Sequence, residues 1–413
     1  MSHTTKQRRR GSSATRTTGL LKAGSLAAVT ALALAACGGG GGGGAAEGDG
    51  PIPIGVIADL SGATGDVGTP YNQGMLAYVD WINSAGGVEG REIQAISNDY
   101  AYEIPQAEEL YRRYLNEDVV AVQGWGTGDT EALRTRVAND ELPFISGSFS
   151  EELADPAESP YNFLIAPTYS DQMRVALNYI EEEGGAGSEV AVLHHDSPFG
   201  ASPVADGQEW VDSGEVDLGY QSYAMPTGTS NFVGILSQAQ SQGAEYIVIQ
   251  NVASPASQVA HDIAAQNLDM KIVCLNWCAN DLFITGAGDA GEGSVLVQPF
   301  APVSADKPGH ADMRAYLEEQ GEDPDSKGSA WVQGWLAMHI MVEGIRHTLE
   351  QGNDLTGPNI RESLETMGPI DTGGVIGAGI VEFSPETHAG IHSSGVYEVQ
   401  DGQMVEIAEG AEP

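Results

Sequence analysis

The chain has 413 residues, 41% of them hydrophobic and 18% charged, a globular composition with length for two or three domains. Eighteen Lys and Arg stand against 58 Asp and Glu, a formal charge of −40. That balance argues against nucleic acid or an anionic lipid surface as partner, since both are met by clustered basic side chains.

The charge is unevenly placed. Residues 1–37 carry six basic residues (Lys6, Arg8, Arg9, Arg10, Arg16, Lys22) and no acid, which leaves the remainder at −46 with three lysines, Lys271, Lys307 and Lys327. After Lys22 comes an apolar stretch, Leu26 to Ala36, closing on Leu34-Ala35-Ala36-Cys37. A basic segment, an apolar segment and small residues before a cleavage point make a secretory signal, and the apolar part is too short for a permanent membrane span. Leu-Ala-Ala-Cys resembles the bacterial lipobox, which implies removal of residues 1–36 as a signal peptide and lipidation of Cys37. Seven glycines, Gly38 to Gly44, and the small polar run after them cannot bury apolar surface. Residues 37–51 therefore read as a flexible tether, with an end-to-end distance of roughly 20 Å. The expected location is extracytoplasmic, anchored by lipid to the outer face of the cell membrane or in the periplasm.

The body alternates short apolar runs with amphipathic ones. Strands are expected at 52–58, 93–97, 119–122 and 142–145, with helices at 72–84, 105–116 and 129–139 between them. The pattern repeats with strands at 189–193, 246–249, 271–275 and 294–297 and helices at 200–213, 231–242 and 255–267. Residues 331–351 and 359–367 read as helices, and 395–407 as a hairpin turning at Asp401-Gly402. Strands alternating with helices imply parallel sheets covered on both faces. Two successive sets predict an α/β protein of two doubly wound parallel-sheet lobes, residues 52–167 with 300–368 and residues 168–299 with 369–413. A multi-strand hinge is expected to cross near 166–170, 297–301 and 368–374. Such folds bind ligands at the carboxyl ends of the strands, here the loops 59–68, 99–104, 124–130, 146–150, 194–200, 250–255 and 276–281.

Catalytic signatures are missing. There is no Walker loop, H-E-x-x-H, G-x-S-x-G or EF-hand loop. Gly286-x-Gly288-x-x-Gly291 has dinucleotide spacing, but it follows no clear strand, and Asp289 and Glu292 would repel a pyrophosphate. The pairs His194-His195 and His388/His392 lack a surrounding ligand framework, so no metal and no cofactor is expected. Cys274 and Cys278 leave three readings open: a small-loop disulfide, two buried thiols, or half a metal site short of ligands.

Several of these loops carry a further pattern. Leu60-Ser61-Gly62, Gly68, Gly74, Asn83 to Arg91, Asn98-Asp99, Pro143 to Ser146, Phe199-Gly200, Asn231-Phe232, Trp331 to Trp335, Phe383-Ser384-Pro385 and His388 occur in an order that resembles the branched-chain amino-acid (Leu/Ile/Val) solute-binding proteins of ABC importers, with their type-1 periplasmic-binding fold. The likeness runs from about residue 52 to 407. It implies a non-enzymatic receptor that captures a small amino acid or related organic acid or amide between its lobes and delivers it to permease subunits. A ligand-presenting sensory module of the same fold is the alternative, and an enzyme on a similar scaffold a more distant one.

By resemblance, the ligand carboxylate falls to Thr127, Gly128, Asp129 and Thr130 and to Ser148 and Ser150. Hydroxyls and backbone N–H groups at strand ends and helix N-termini suit an anion, though Thr130 and Ser150 also suit helix capping. Phe199 matches an aromatic that closes over the ligand, and Trp335 lies near another such position. Where amino-acid binders in this family carry an acid for the ligand's ammonium, this chain has Asn276, followed by Trp277. Either Asp129 or Asp281 substitutes for that acid, or the ligand is not a simple α-amino acid. Trp125, Tyr102, Phe149, Phe199 and Trp277 would give the pocket an aromatic lining, suited to planar or apolar groups or to a cation over ring faces.

Overall fold

The computed structural model describes residues 50–413; Cys37, the signal segment and the glycine run lie outside the described residues. The first lobe is built on five parallel strands, β1 (Ile52–Ala58), β2 (Ile93–Asp99), β3 (Ala121–Gly124), β4 (Phe144–Ser146) and β5 (Asn162–Phe163), in the order β2-β1-β3-β4-β5. Its helices are α1 (Gly65–Ser84), α2 (Ile104–Leu115) and α3 (Thr127–Asp140). Strand β1 is buried along nearly its whole length, as a central strand covered on both faces must be.

The second lobe starts with α4 (Tyr169–Ile180) and β6 (Glu189–His195). There follow α5 (Pro198–Ala201), α6 (Val204–Asp212), β7 (Gly219–Met225), α7 (Val233–Ser241), β8 (Ala244–Gln250), α8 (Ala253–Gln266), β9 (Lys271–Cys274), α9 (Asp281–Ala287) and β10 (Val295–Gln298). The chain then returns to the first lobe through α10 (Ala311–Gln320), α11 (Ser329–Glu350) and α12 (Gly357–Thr366). A two-stranded ribbon, β11 (Ile370–Asp371) with β12 (Ile380–Val381), precedes the closing hairpin, β13 (Ser394–Gln400) and β14 (Gln403–Ala411). The second sheet has the order β14-β13-β10-β9-β8-β6-β7, parallel from β7 to β10 and antiparallel at the hairpin.

Helix α11 completes the first lobe by packing along α1 and against β3 and β4. Two glycines allow the approach. A Cβ on Gly74 would lie 1.9 Å from the Trp331 carbonyl oxygen, and one on Gly334 would lie 1.8 Å from that of Tyr71. Only hydrogen fits at these two positions, which explains why Gly74 and Gly334 sit where they do in the sequence pattern.

Three runs of chain join the lobes, and they hydrogen-bond to one another. Leu164 N–H donates to the His388 carbonyl (2.9 Å), and Gly390 N–H donates to that of Leu164 (2.9 Å). Ala301 N–H reaches Val375 O (2.9 Å), and Gly377 N–H reaches Pro299 O (2.8 Å). The third run thus meets the others at 375–390, beyond the 368–374 stretch expected from sequence, because β11, β12 and their turn intervene.

Seven elements were not anticipated: β5, α4, β7, α9, α10, β11 and β12. Strand β7 lies at the sheet edge, paired with β6 alone, and its polar sequence GYQSYAM lacks the apolar run of a central strand. Helix α4 begins inside the segment read as hinge; Thr168 caps it by accepting from Asp171 N–H (3.1 Å). The structure also decides among the cysteine readings. Cys274 and Cys278 are free and buried, and the Cys278 thiol donates to the Ile249 carbonyl (3.2 Å). That bond needs the proton a disulfide would lack, so the pairing suggested by the C-x3-C spacing does not form.

Candidate functional site

The carboxyl ends of β1, β3 and β4 in one lobe face those of β6, β8 and β9 in the other, and the loops leaving them close on a small cavity of about 10 Å³, room for about one water. The first lobe contributes Thr64, Tyr102, Trp125, Gly126, Thr127 and Gly147, the second Tyr169, Phe199, Val252 and Trp277. A wider cleft of about 570 Å³ opens beside it, bordered by Gly62, Ala63, Gly128, Asp129, His195, Pro198 and Thr227.

The polar edges of Trp125, Tyr169 and Trp277 are pinned. Asp59 is fully buried and accepts from Gly62 N–H (2.6 Å), Thr64 N–H (2.9 Å) and the Thr64 hydroxyl (2.7 Å). The Thr64 oxygen in turn accepts from Trp125 Nε1 (2.8 Å). A buried carboxylate thus sets the indole through one hydroxyl. Across the cleft, Trp277 Nε1 donates to the Tyr169 hydroxyl (3.0 Å), which donates to Gly147 O (3.1 Å). The two indoles meet edge to face with centroids 4.7 Å apart, within the range where such pairs attract.

Thr127 and Ser148 place their hydroxyls 2.7 Å apart, at the α3 N-terminus and on the loop after β4, where an anionic group finds donors. The neighbouring candidates face elsewhere. Thr130 bonds back to the Gly126 carbonyl within the helix (2.6 Å). Ser150 donates to Glu131 (2.9 Å) and accepts from Ser202 of the second lobe (3.2 Å). Phe149 lies behind Trp277, stacked parallel at 6.1 Å.

Asp129 is 2% exposed. Its Oδ1 accepts from the Tyr100 hydroxyl (2.7 Å), and its Oδ2 has no partner. Burial pushes its carboxyl up to about 7, opposed by the Tyr100 hydroxyl and by the Asp129 and Gly126 backbone N–H groups, with Asp59 adding a smaller rise. Asp99 differs: although burial acts to raise it, the Ser61 hydroxyl and the Leu60 and Ala101 N–H groups hold it below the usual range.

Trp335 and Asn276 also lie away from the cavity, and Ser148, though bonded to Thr127, does not line it. Trp335 packs with Tyr78, Trp81, Tyr316 and Trp331, centroids 5.4–5.6 Å apart, in the α1–α11 interface. Its place in the motif reflects helix packing. Asn276 is fully buried and donates from Nδ2 to Gln333 on α11 (3.1 Å), tying the loop after β9 to the other lobe. Conversely, Tyr169 and Thr64 line the cavity without having been singled out. Thr64 lay on a flagged loop; Tyr169 could have been found from Thr168, a helix-capping type just before an amphipathic run.

The same architecture recurs in known proteins. A family model described as periplasmic binding protein matches residues 51–403. The chain belongs to the periplasmic binding protein family. A leucine-, isoleucine-, valine-, threonine- and alanine-binding protein of Pseudomonas aeruginosa is 21% identical over 76% of this chain and 82% of its own length. The Leu/Ile/Val-binding protein of Escherichia coli is 21% identical over 62% of this chain and 70% of its own. A branched-chain amino-acid ABC transporter protein from Thermus thermophilus, solved with bound valine, superposes with a TM-score of 0.82 at 25% identity, covering 88% of this chain and 96% of that one. A fatty-acid ABC transporter substrate-binding protein from Thermomonospora curvata shares the fold, with a TM-score of 0.78 at 20% identity over 88% and 94% of the two chains. These relatives bind solutes and are not enzymes, in keeping with the missing catalytic motifs.

Proposed function

We propose that this periplasmic binding protein is the lipid-anchored, extracytoplasmic substrate-binding component of an ABC importer, taking a small amino-acid-like or related carboxylate or amide solute. The observation that carries this reading is the interlobe site itself: both lobes line it, and with only three runs of chain joining them, opening about these would make room for a solute. A solute touching Thr127, whose hydroxyl Ser148 holds, on one side and Phe199 and Trp277 on the other would stabilise the closed form, the state a permease can tell from the open one. Residues 1–36 would direct export, lipid on Cys37 would hold the protein at the membrane, and residues 37–51 would let the body reach its partner. The aromatic lining supports a ligand with an apolar body, and the Thr127–Ser148 hydroxyl pair supports an anionic or amide head.

Thermal-shift screening of the full-length protein against amino acids, aromatic acids, amides and amines tests the reading. At a ligand concentration of 100 times Kd, binding adds about 2.7 kcal/mol of stability. One chemical class is expected to shift the melting temperature, and deleting the gene is expected to abolish uptake of that class. A screen in which no class shifts the transition would overturn the proposal.

A further inference from the structure

The third run joining the lobes carries two histidines four residues apart, and each faces an acid on a different lobe. His388 is fully buried, with its ring stacked on Phe163 of β5 at a centroid distance of 4.0 Å. Its Nδ1 lies 2.8 Å from the Asn162 carbonyl oxygen, and its Nε2 lies 3.0 Å from Glu365 Oε1 on α12 of the first lobe. The carbonyl only accepts, and so does the carboxylate while ionised. A neutral imidazole has one N–H and serves one of the two. His392 is exposed, and its Nδ1 lies 2.8 Å from Asp171 Oδ2 in the first turn of α4, in the second lobe. Asp171 is buried, and its Oδ1 accepts from Arg174 (3.1 Å). Beside the two rings run the backbone bonds between the crossing segments, from Leu164 N–H to His388 O and from Gly390 N–H to Leu164 O.

The charges around the two rings differ. Facing His388 are Glu365 and Arg361 of α12, and Arg361 itself donates to Glu365 Oε1 (2.7 Å). Burial pulls this ring below the usual imidazole range; the bonds to Glu365 and Asn162 act against it, and Arg361 adds to the lowering. Facing His392 are Asp171, Glu151 and Glu412, and the bond to Asp171 raises this ring although partial burial opposes it. The two pairs therefore respond to pH in opposite directions. A histidine whose folded value is raised stops stabilising once pH rises through that value. One whose folded value is lowered costs stability as pH falls below its unfolded value of about 6.5. Building on the reading of these runs as a hinge, we propose that residues 388–392 form a pH-sensitive strap: alkali frees it from α4 through His392, acid frees it from β5 and α12 through His388, and its grip on both lobes is firmest near neutral pH. Loosening either end widens the range of lobe angles the hinge allows, so the strap couples ambient pH to closure.

The test needs no ligand. In the full-length protein, hydrogen exchange of the Leu164 and Gly390 amides, divided by their intrinsic rates at each pH, reports the strap. Protection is expected to be highest near about pH 6.5 and to fall about two- to fivefold at both about pH 5 and about pH 8.5. His392→Gln, at an exposed position, is expected to flatten the alkaline limb and leave the acid limb. Glu365→Gln is expected to move the acid limb to lower pH, because a glutamine amide donates to the neutral ring's Nε2 and gives both nitrogens partners without charge. Nitrogen-15 shifts are expected to place the midpoint of His388 below about 6.5 and that of His392 above it. Protection that is flat from acid to alkali, or a limb that its own substitution leaves unchanged, would overturn the strap. The transport reading would still stand, since solute binding judges it. Absence of protection at every pH would remove the bonds between the crossing segments, and with them both the strap and the hinge.

Discussion

Helix α8 begins without a cap of its own: its N-cap residue is Val252 and its first turn holds no acid. The missing acceptor comes from the other lobe. Asp66 Oδ2, in the first turn of α1, accepts from Ser254 N–H at 3.0 Å and from the Ser254 hydroxyl at 2.6 Å. Hydrogen bonds to a charged acceptor contribute about 1.5–3 kcal/mol each when shielded. Ser254 is exposed and Asp66 half-buried, so the low end applies, and screening reduces it further. With the favourable placement of a carboxylate at a helix N-terminus, the pair should contribute about 2 kcal/mol to the closed state. If the bonds exist only when the lobes are shut, Asp66→Ala should weaken ligand binding about thirtyfold, with intact circular dichroism.

A ligand-free readout is available as well. The Ser254 amide lies in the first turn of α8, where no intrahelical acceptor is in reach, so its protection from hydrogen exchange should come from Asp66 and vanish in the variant. Small-angle scattering should show a larger radius of gyration. Equal exchange at Ser254 in wild type and variant, with unchanged affinity, would refute the latch.

Three further outcomes are expected. Asp129 has its carboxyl raised to about 7 from about 3.9 in an unfolded chain, so the folded state holds its proton longer and stability falls as pH rises through about 4 to 7. Asp129→Asn should therefore melt with wild type at pH 4 and above it at pH 8, and identical melting at both would contradict the assignment. Gly334→Ala, whose Cβ would lie 1.8 Å from Tyr71 O, should cost about 2–3 kcal/mol by forcing α1 and α11 apart, seen as a fall in denaturation midpoint; a neutral result would mean the helices separate freely. Cys274 and Cys278, being free thiols, should alkylate only on unfolding, and a reductant should leave the melting temperature unchanged; a linked pair in a non-reduced digest would reverse this.

The parts of the fold legible in sequence were those set by local burial. Strand β1 coincides with its expected bounds, and the terminal hairpin turns where Asp401-Gly402 marks it. Strand β7 was illegible because an edge strand needs no apolar run, and α4 because its Tyr169 start doubles as the exit from a crossing segment. The site divided in the same way. Loop positions at strand ends followed from topology, and Tyr102, Trp125, Thr127, Phe199 and Trp277, named from them, line the cavity. Which aromatics face the cavity is a tertiary matter: Trp335 turns into the α1–α11 seam, and Phe149 backs Trp277. The partnering of Asp59 and the orphaning of Asp129 likewise depend on donors far away in the chain.

Helix α11 has a consequence for the order in which the protein can be made. Residues 329–350 supply a wall of the lobe that opens at residue 52, so the first lobe stays incomplete until nearly the whole chain is available. Neither lobe is a continuous stretch, because each takes its closing segment from beyond the other. A chain delivered from its N-terminus would expose the β3–β4 surface that α11 covers for most of its passage. With export as proposed above, late completion of the first lobe would keep the polypeptide threadable and postpone assembly of the cleft until both sheets and all three connections stand on the same side of the membrane.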